Sequence, residues 1–255
     1  MNRVNEILSK FAPVSLNEMD SVALMNRVDT KFLASKSAVE SVLEELSSSY
    51  RLLEINEERF FEYRTVYFDT EKQDFLYEHL RGNPNRVKVR IRQYVGSGKQ
   101  FFEIKEKTNK GNTIKSRIPS EEKLNTIGEG QAAFLKAETS MDSSSLKPCI
   151  EVDFYRCTLV GLETQERITF DFRLTFVSEE VQKQPHDFVI VEHKRAAQVH
   201  SKTPALASLK RNHIHPTSLS KYCLGMILID KTDKYNRYKP KLLKLNKIST
   251  HGNIW

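Results

Sequence analysis

The most constraining feature of this sequence is a set of short segments in which basic and apolar residues alternate one by one. Residues 87–92 read Val-Lys-Val-Arg-Ile-Arg, so a strand would place Lys88, Arg90 and Arg92 on one face and three aliphatic side chains on the other. The same alternation recurs in residues 101–107, 113–117 and 167–173. Several strands of this kind predict a sheet with one charged wall and one apolar wall, suited to enclosing a polyanion.

Composition and charge admit several classes of partner. The 255-residue chain has 40 Lys and Arg against 33 Asp and Glu, a net charge of +7, so nucleic acid, phosphate-rich ligands and acidic membranes are all admissible. Three widely spaced cysteines, Cys149, Cys157 and Cys223, predict ordinary buried thiols rather than a disulfide framework or zinc ribbon. Neither a signal sequence nor an apolar run of about 18 residues is present, which predicts a cytoplasmic protein without a membrane span of its own.

The order of elements predicts an α+β fold. Strands are expected at residues 27–32, 51–55, 62–69, 86–95, 100–107, 112–118, 148–160, 166–177 and 187–194. Helices are expected in residues 1–20 and at 37–46, 70–80, 121–139, 204–211 and 218–229. We interpret 51–55 and 62–69 as a hairpin. The predicted organisation is an N-terminal helical segment (1–21), one domain (22–230) and an extended basic tail (231–255).

Further polar residues share strand faces with the first set. They are Arg27, Asp29 and Lys31; Glu103, Lys105 and Lys107; Thr113, Lys115 and Arg117; Arg167, Thr169, Asp171 and Arg173; and Glu192 with Lys194. If these faces line a lumen, an anion or water must compensate the excess of cations. Adjacent arginines suit phosphate oxygens, and Glu192 with Glu103 or Asp171 would suit Mg²⁺ or Mn²⁺. The alternative is that the charged faces are the solvated outer surface of the sheet.

Several motifs, taken together, resemble a known family. They are Arg-Val-Asp-Thr-Lys-Phe at 27–32, Val-Tyr-Phe-Asp-Thr at 66–70 followed by Tyr77 and His79, Arg-Val-Lys-Val-Arg-Ile-Arg-Gln-Tyr at 86–94, Phe-Glu-Ile-Lys-Glu-Lys at 102–107 and Ser-Lys-Tyr at 220–222. In this order, over roughly residues 22–230, they resemble the VTC domain, the polyphosphate polymerase domain of the triphosphate tunnel metalloenzyme (CYTH-like) superfamily. The resemblance implies an antiparallel β-barrel tunnel with helices packed around it.

The resemblance also implies an activity. It predicts transfer of the γ-phosphoryl group of ATP to inorganic polyphosphate, with Mn²⁺ or Mg²⁺ as cofactor. A tunnel triphosphatase and a non-catalytic polyphosphate receptor are the alternatives, and a membrane-protein partner for the product stays open. Nucleic acid is disfavoured, because the aromatic residues fall largely on apolar faces rather than between exposed basic ones.

Roles for individual residues follow from the motifs and the shared faces. We predict catalytic charge stabilisation by Lys31, Arg90, Arg92 and Lys105. Phosphate binding is predicted for Lys115, Arg117, Arg156, Arg167, Lys194 and Lys221, and metal binding for Glu192 and Glu103. The motifs assign no role to Lys88. His193, His213 and His215 are interpreted as surface or structural residues.

The sequence departs from the family pattern at a few positions. Asp29 stands where Glu is common, Phe154 replaces a tyrosine, and Ser218 occupies a position that is usually basic. The strand at 148–160 also raises a conflict of parity, because Arg156 alternates in phase with Phe154 and not with the polar Glu151 and Asp153. Either a bulge changes the phase of this strand, or Glu151 and Asp153 face the lumen.

Overall fold

The computed structural model describes residues 2–21, 27–110, 112–197, 203–229, 232 and 235–249. Its helices are Asn2–Leu8 (α1), Leu16–Ser21 (α2), Lys36–Leu46 (α3), Asp74–Arg81 (α4), Glu129–Thr139 (α5), Pro204–Arg211 (α6), Lys221–Leu228 (α7) and Lys239–Ile248 (α8). Its strands are Pro13–Val14 (β1), Arg27–Ser35 (β2), Arg51–Leu53 (β3), Phe61–Thr70 (β4), Arg86–Tyr94 (β5), Gln100–Lys107 (β6), Thr113–Ser120 (β7), Leu146–Gly161 (β8), Glu166–Val177 (β9), Gln182–Lys183 (β10) and Phe188–Ala196 (β11).

Local sequence signals fix several of the helix ends. The Thr203 side chain accepts a hydrogen bond from the Leu206 amide, with Pro204 in the first turn, so α6 begins where the sequence predicts. Helix α4 ends at Gly82, whose φ of 77° is a left-handed conformation that glycine adopts without strain. None of the helices in the described part of the chain is long and apolar enough to cross a bilayer.

The strands form one strongly curled sheet. Its order is β2-β11-β9-β8-β4-β5-β6-β7, and every neighbouring pair along this path is antiparallel. The curl brings the two ends of the path close together: Lys31 on β2 is near enough to Lys105 on β6 to lower its pKa in addition to the effect of burial. Within the described strands, β2 and β7 do not pair with each other, so the tunnel wall is a half-barrel with a seam. The predicted α+β tunnel architecture is confirmed.

Three sequence predictions about elements are wrong. Strand β3 does not form a hairpin with β4; it pairs in parallel with β1 and antiparallel with β8. Helix α5 begins at Glu129, eight residues after the predicted start at residue 121. The tail is not extended over its described residues 239–248, because α8 buries Leu242 and Leu245 in the core. The predictions for residues 231, 233–234 and 250–255 lie outside the described residues.

Different helices pack on the two faces of the sheet. On the convex side, α1, α3 and α6 pack on β2, β9 and β11, and α5 packs on β5 and β6. On the concave side, α7 packs on apolar residues of β8 and β9. Gly225 makes this approach possible, because a Cβ there would lie 2.5 Å from the Phe176 ring and 2.6 Å from Ile150. The rest of the concave side is left for charged residues.

Candidate functional site

The concave face of the sheet carries a group of charged side chains that we call the lumen cluster. Its members are Lys31, Lys88, Arg90, Arg92, Glu103, Lys105, Lys115, Arg156, Asp171, Glu192 and Lys194 from the strands, and Lys221 from the first turn of α7. They come from seven strands and one helix, and cations outnumber carboxylates. Period-two alternation put them on one face, and the curl of the sheet turns that face inward.

Glu103 on β6 organises the first part of the cluster. Its side chain is 1% exposed, and its Oε2 lies 2.6 Å from Arg90 Nη2, while its Oε1 lies 2.5 Å from Lys115 Nζ. Burial alone would raise the pKa of Glu103, but Arg90, Arg92 and Lys115 hold it well below its ordinary value. Glu103 is therefore a fixed anion that orients two cations from neighbouring strands.

Asp171 on β9 plays the same part on the opposite side. It accepts hydrogen bonds from Arg156 Nε at 2.6 Å and Nη2 at 2.8 Å, the bidentate geometry that fixes a guanidinium in one plane. It also accepts from Lys221, which lies 4.3 Å from the centre of the Phe154 ring. The pKa of Asp171 is held low by both cations, against the effect of burial.

Glu192 on β11 is more accessible. It pairs with Lys31 of the adjacent strand β2 and lies 3.3 Å from Lys194 on its own strand. Its side chain is 15% exposed, compared with 1% for Glu103 and Asp171. Burial raises the pKa of Glu192, but Lys194 and Lys31 outweigh it and leave the group ionised.

Other members of the lumen cluster are cations without a carboxylate. Within the described residues, Arg92, Lys88 and Lys105 form no ion pair; the Arg92 guanidinium donates to Thr65 Oγ1 at 3.2 Å. Desolvation and the neighbouring cations lower the pKa of Lys105 to about 8 and also lower the pKa of Lys88 and Arg92. These groups would be stabilised by an added anion.

Tyr67 on β4 reports the strength of this positive field. Burial raises the pKa of a phenol, yet Arg90, Arg92 and Lys88 bring the pKa of Tyr67 below its ordinary value. Arg90 Nη1 donates to the Tyr67 hydroxyl at 3.2 Å. A field that overcomes the burial of a phenol is the kind that binds phosphate.

Two residues predicted to bind phosphate lie at the rim of the lumen cluster. Arg167 lies beyond the centre on β9 and donates to the Met19 carbonyl of α2. Arg117 on edge strand β7 is exposed and stacks over the Phe101 ring at 4.7 Å. Arg173, which the sequence places on the same face as Asp171, does not lie there: with φ of 49° it bulges outward and lies over the Tyr155 ring.

The register between β8 and β9 shows which residues of β8 face the lumen. Arg156 pairs with Asp171 and stays in phase with Phe154, and both face the lumen. Glu151 and Asp153 lie on the outer face, and the register shift between Asp153 and Tyr155 is absorbed by β9. The inner face of β8 is therefore apolar beside α7 and carries one cation, Arg156, in the phase that the sequence shows.

Several residues with clear roles in this geometry were missed or left without a role. The sequence suggests Asp171 only as a possible metal ligand, yet in the structure it holds Arg156 and Lys221. Asp69 accepts from Tyr222 and from the Phe75 and Leu76 amides, which ties α7 to α4 behind the lumen. Both Asp69 and Tyr222 lie in quoted motifs, so the motifs themselves were the available signal.

The carboxylates of the lumen cluster differ in how well they suit a divalent metal. The described part of the chain contains no group of three His, Cys, Asp or Glu side chains placed to hold one. Mg²⁺ and Mn²⁺ at phosphate sites commonly use one or two carboxylates plus substrate oxygens, and the partly exposed Glu192 fits that role. Glu103 fits less well, because its side chain is only 1% exposed, compared with 15% for Glu192.

Comparison with known proteins agrees with this geometry. The family model of the VTC domain matches residues 26–229. The chain belongs to the VTC family. The match ends just before α8, so that helix lies outside the family domain while packing against its core.

Solved structures place the VTC chain in the triphosphate tunnel fold. A candidate adenylate cyclase from Bacillus halodurans is 16% identical, with a TM-score of 0.50 over 77% of this chain and 94% of its own. A candidate adenylyl cyclase from Hippeastrum, described as having a dominant triphosphatase activity, is 15% identical, with a TM-score of 0.52 over 80% of this chain and 96% of its own. No curated protein matches the sequence.

Proposed function

We propose that this VTC domain is a metal-dependent phosphotransferase that moves the γ-phosphoryl group of ATP onto inorganic polyphosphate. The observation that carries the proposal is the lumen cluster: buried carboxylates hold some cations in place, and Arg92, Lys88 and Lys105 are left without a carboxylate partner. Such a site is stable only with water or a polyanion inside. A linear polyphosphate matches both its charge and its elongated shape.

The proposed phosphoryl transfer needs no covalent bond to the protein. A terminal oxygen of the polyphosphate chain would form a new bond to the γ-phosphorus as the bond to the bridging oxygen of ADP breaks. Phosphoryl transfer is accelerated mainly by positioning and by neutralising charge on the transferring group. Arg90 and Arg156 are suited to positioning because Glu103 and Asp171 fix their guanidinium planes, while Arg92, Lys31 and Lys105 supply further positive charge.

The metal would be held by Glu192 together with phosphate oxygens, and would supply additional neutralisation of phosphate charge. Lys31 and Lys194 flank Glu192 and keep it ionised, which a metal ligand requires. We assign Glu103 a different role from the one expected from sequence, that of the anion orienting Arg90 and Lys115. Lys115, Lys194 and Lys221 remain proposed phosphate contacts, and Arg117 and Arg167 contacts of the rim.

The deciding experiment is incubation of the purified protein with ATP and Mn²⁺ or Mg²⁺, with products resolved by gel. Long-chain polyphosphate is expected, and Glu192→Gln should abolish its formation while polyphosphate binding persists. Glu45→Gln, at a surface ion pair on α3, is the matched control and should behave as wild type. Tight polyphosphate binding without turnover in any divalent metal would contradict the proposal and favour a receptor.

Hydrolysis of triphosphate is the second candidate, and the likeness to the Hippeastrum protein favours it. The same cluster would bind the phosphates, and water would replace the polyphosphate chain as acceptor. Release of orthophosphate from ATP or tripolyphosphate, without long-chain product, would select this function over polymerisation.

A further inference from the structure

Four neighbouring aromatic side chains on the concave face have no role in the phosphate chemistry proposed above. They are Tyr63 on β4, Tyr94 on β5, Phe101 on β6 and Phe154 on β8, and we call them the aromatic group. Tyr94 stands two residues after Arg92, and the register sets Tyr63 beside both Tyr94 and Phe154. The centres of successive rings, taken in the order Phe154, Tyr63, Tyr94 and Phe101, are 5.1, 5.0 and 5.9 Å apart. The rings therefore form one continuous apolar surface next to the central cations.

Guanidinium groups of the lumen border the aromatic group. Arg156 lies 5.2 Å from the ring centre of Tyr63 and 5.3 Å from that of Phe154, and Arg92 lies 5.8 and 5.9 Å from the same two centres. Arg117 lies over the ring at the other end of the group, at 4.7 Å. Apolar rings and proposed phosphate ligands thus adjoin at this place, which suits a ligand that has both a flat apolar part and phosphates.

The aromatic group is accessible to solvent along part of its length. Phe154 is buried, whereas Tyr63, Tyr94 and Phe101 are each partly exposed, and residues 96–99 at the hairpin tip beside them are exposed. Among the described residues, neither tyrosine hydroxyl has a hydrogen-bond partner. Tyrosine hydroxyls in a closed core usually find one. Partly exposed rings with unpaired hydroxyls are suited to contact a heterocycle that has an apolar face and polar edges.

The spacing along β5 matches the order of the groups in a nucleoside triphosphate. At about 3.3 Å per strand residue, Arg92 lies roughly 7 Å and Arg90 roughly 13 Å from Tyr94 along the strand. A nucleoside triphosphate carries its base at one end, then the ribose, then three phosphates in line. A base at the aromatic group would therefore direct the phosphates toward Arg92 and then Arg90. The reverse orientation would place charged phosphates against apolar rings.

We propose that the aromatic group is the subsite for the base of the nucleoside triphosphate, with the base stacked on Tyr94 and Phe101. The proposal rests on the proposed function and names what distinguishes ATP from polyphosphate at a site whose cations would bind both. Stacking on aromatic rings is tolerant of base identity because every base has a π-face. A purine has a larger face than a pyrimidine, so the subsite should favour purine triphosphates.

The test compares the binding of ATP and of tripolyphosphate by titration calorimetry, without added divalent metal so that neither ligand is turned over. Tyr94→Leu and Phe101→Leu should each weaken ATP binding about fivefold to tenfold, as expected for loss of one stacking contact. Tripolyphosphate has the phosphates but no base, and its affinity should change less than about twofold in both variants. The wild-type protein should bind ATP more tightly than CTP, which carries the same charge, and Tyr94→Leu should reduce that difference.

Two further variants serve as controls. Tyr155→Leu removes a partly exposed tyrosine from the outer face of β8, where Arg173 lies 5.6 Å from its ring centre, and should leave the binding of both ligands unchanged. Tyr94→Phe keeps the ring and should keep most of the affinity for ATP, which separates stacking from hydrogen bonding by the hydroxyl. A melting curve for each variant shows that the protein compared is folded.

The results separate the base subsite from the phosphate site. Unchanged ATP binding in both leucine variants, equal weakening of ATP and tripolyphosphate in folded variants, or equal affinity of the wild-type protein for ATP and CTP would each overturn the base subsite alone. Failure of the wild-type protein to bind either ATP or tripolyphosphate would overturn the proposed function as well.

Discussion

Two groups of polar side chains lie on opposite faces of the sheet: the lumen cluster on the concave face, and Glu166, His193 and Tyr50 on the convex face. They differ in whether each charge has a partner of opposite sign. Glu192 and Lys194 on β11 enter the lumen cluster, whereas His193 between them points into the convex core. There Glu166 hydrogen-bonds to His193 and to the Tyr50 hydroxyl, which accepts from the Ala205 amide at 3.1 Å. The side chains of Glu166, His193 and Tyr50 are nearly inaccessible to solvent.

The difference lies in how charge is balanced. On the convex face, Glu166 is met by neighbours that donate to it, which lower its pKa although burial raises it. In the lumen, several cations lack a partner and their pKa values fall. A matched buried group stabilises the fold, while an unmatched one stores binding potential for a ligand. The predictions below test this contrast between the two groups.

The largest effect is expected in the lumen. Arg92→Ala removes a cation without a carboxylate partner, so turnover should fall about 10²–10³-fold, as for loss of one electrostatic stabiliser of a transition state. Thermal stability should not fall, because Arg92 is repelled by Arg90 and its pKa is lowered by burial and by that neighbour. Steady-state rates and a melting curve check both parts. Normal turnover would refute the lumen assignment.

The convex group should behave in the reverse way. Tyr50→Phe deletes the hydroxyl that links Glu166 to the Ala205 amide, which should cost about 1–3 kcal/mol of unfolding free energy because buried polar groups lose their partner. Polyphosphate affinity of the folded protein should be unchanged. Urea denaturation measures the first quantity and calorimetry the second. An unchanged free energy of unfolding would show that the Tyr50–Glu166 hydrogen bond does not stabilise the fold.

A smaller effect is expected from pH. Burial, partly offset by Asp171, sets the pKa of Lys221 at about 8, so Lys221 is charged at pH 7 and largely neutral at pH 9. A bound polyanion favours the charged form, so affinity should fall as pH rises, by up to about tenfold from this residue between pH 7 and 9. Lys105, with a pKa of about 8 but greater exposure, should add less.

The control for this pH dependence keeps the charge at the same position. Lys221→Arg stays protonated throughout the range, so its affinity should vary less with pH than that of the wild type. An identical pH profile for the two proteins would show that Lys221 does not titrate in contact with the ligand.

The smallest effect is expected at the rim. Arg117→Gln removes an exposed guanidinium that stacks on Phe101 outside the centre of the cluster, and polyphosphate affinity should fall by no more than about fivefold. Binding isotherms beside those of Arg92→Ala give the comparison. A loss as large as that of Arg92→Ala would mean that the lumen extends to β7's outer end.

Much of the architecture was predictable because it depends on short-range rules. Alternation along β5 put Lys88, Arg90 and Arg92 on one face, and Thr203 with Pro204 set the start of α6. The failures involve contacts distant in sequence. The pairing of β3 with β1 and β8, and the docking of α8, depend on partners that no local pattern names.

The candidate site also has a part that the sequence predicts and a part that only contacts between distant residues decide. Face sharing identified Lys31, Arg90, Arg92, Lys105 and Glu192 as neighbours of a common lumen. Sequence alone could not show that Glu103 would be enclosed by Arg90 and Lys115, or that Asp171 would hold Arg156 and Lys221. Nor could it show the outward bulge at Arg173, since a bulge changes the phase of alternation without an obvious signal.

The sequence by itself determined that this chain builds a sheet with one cationic wall, because the two-residue period of a strand is a local property of the backbone. Its motifs also determined the VTC family. Only the tertiary structure decided that the cationic wall is the concave one, and which cations are neutralised by carboxylates. Those outcomes depend on the curl of the sheet, on the register between strands and on the seating of α7, which bring together side chains that are far apart along the chain.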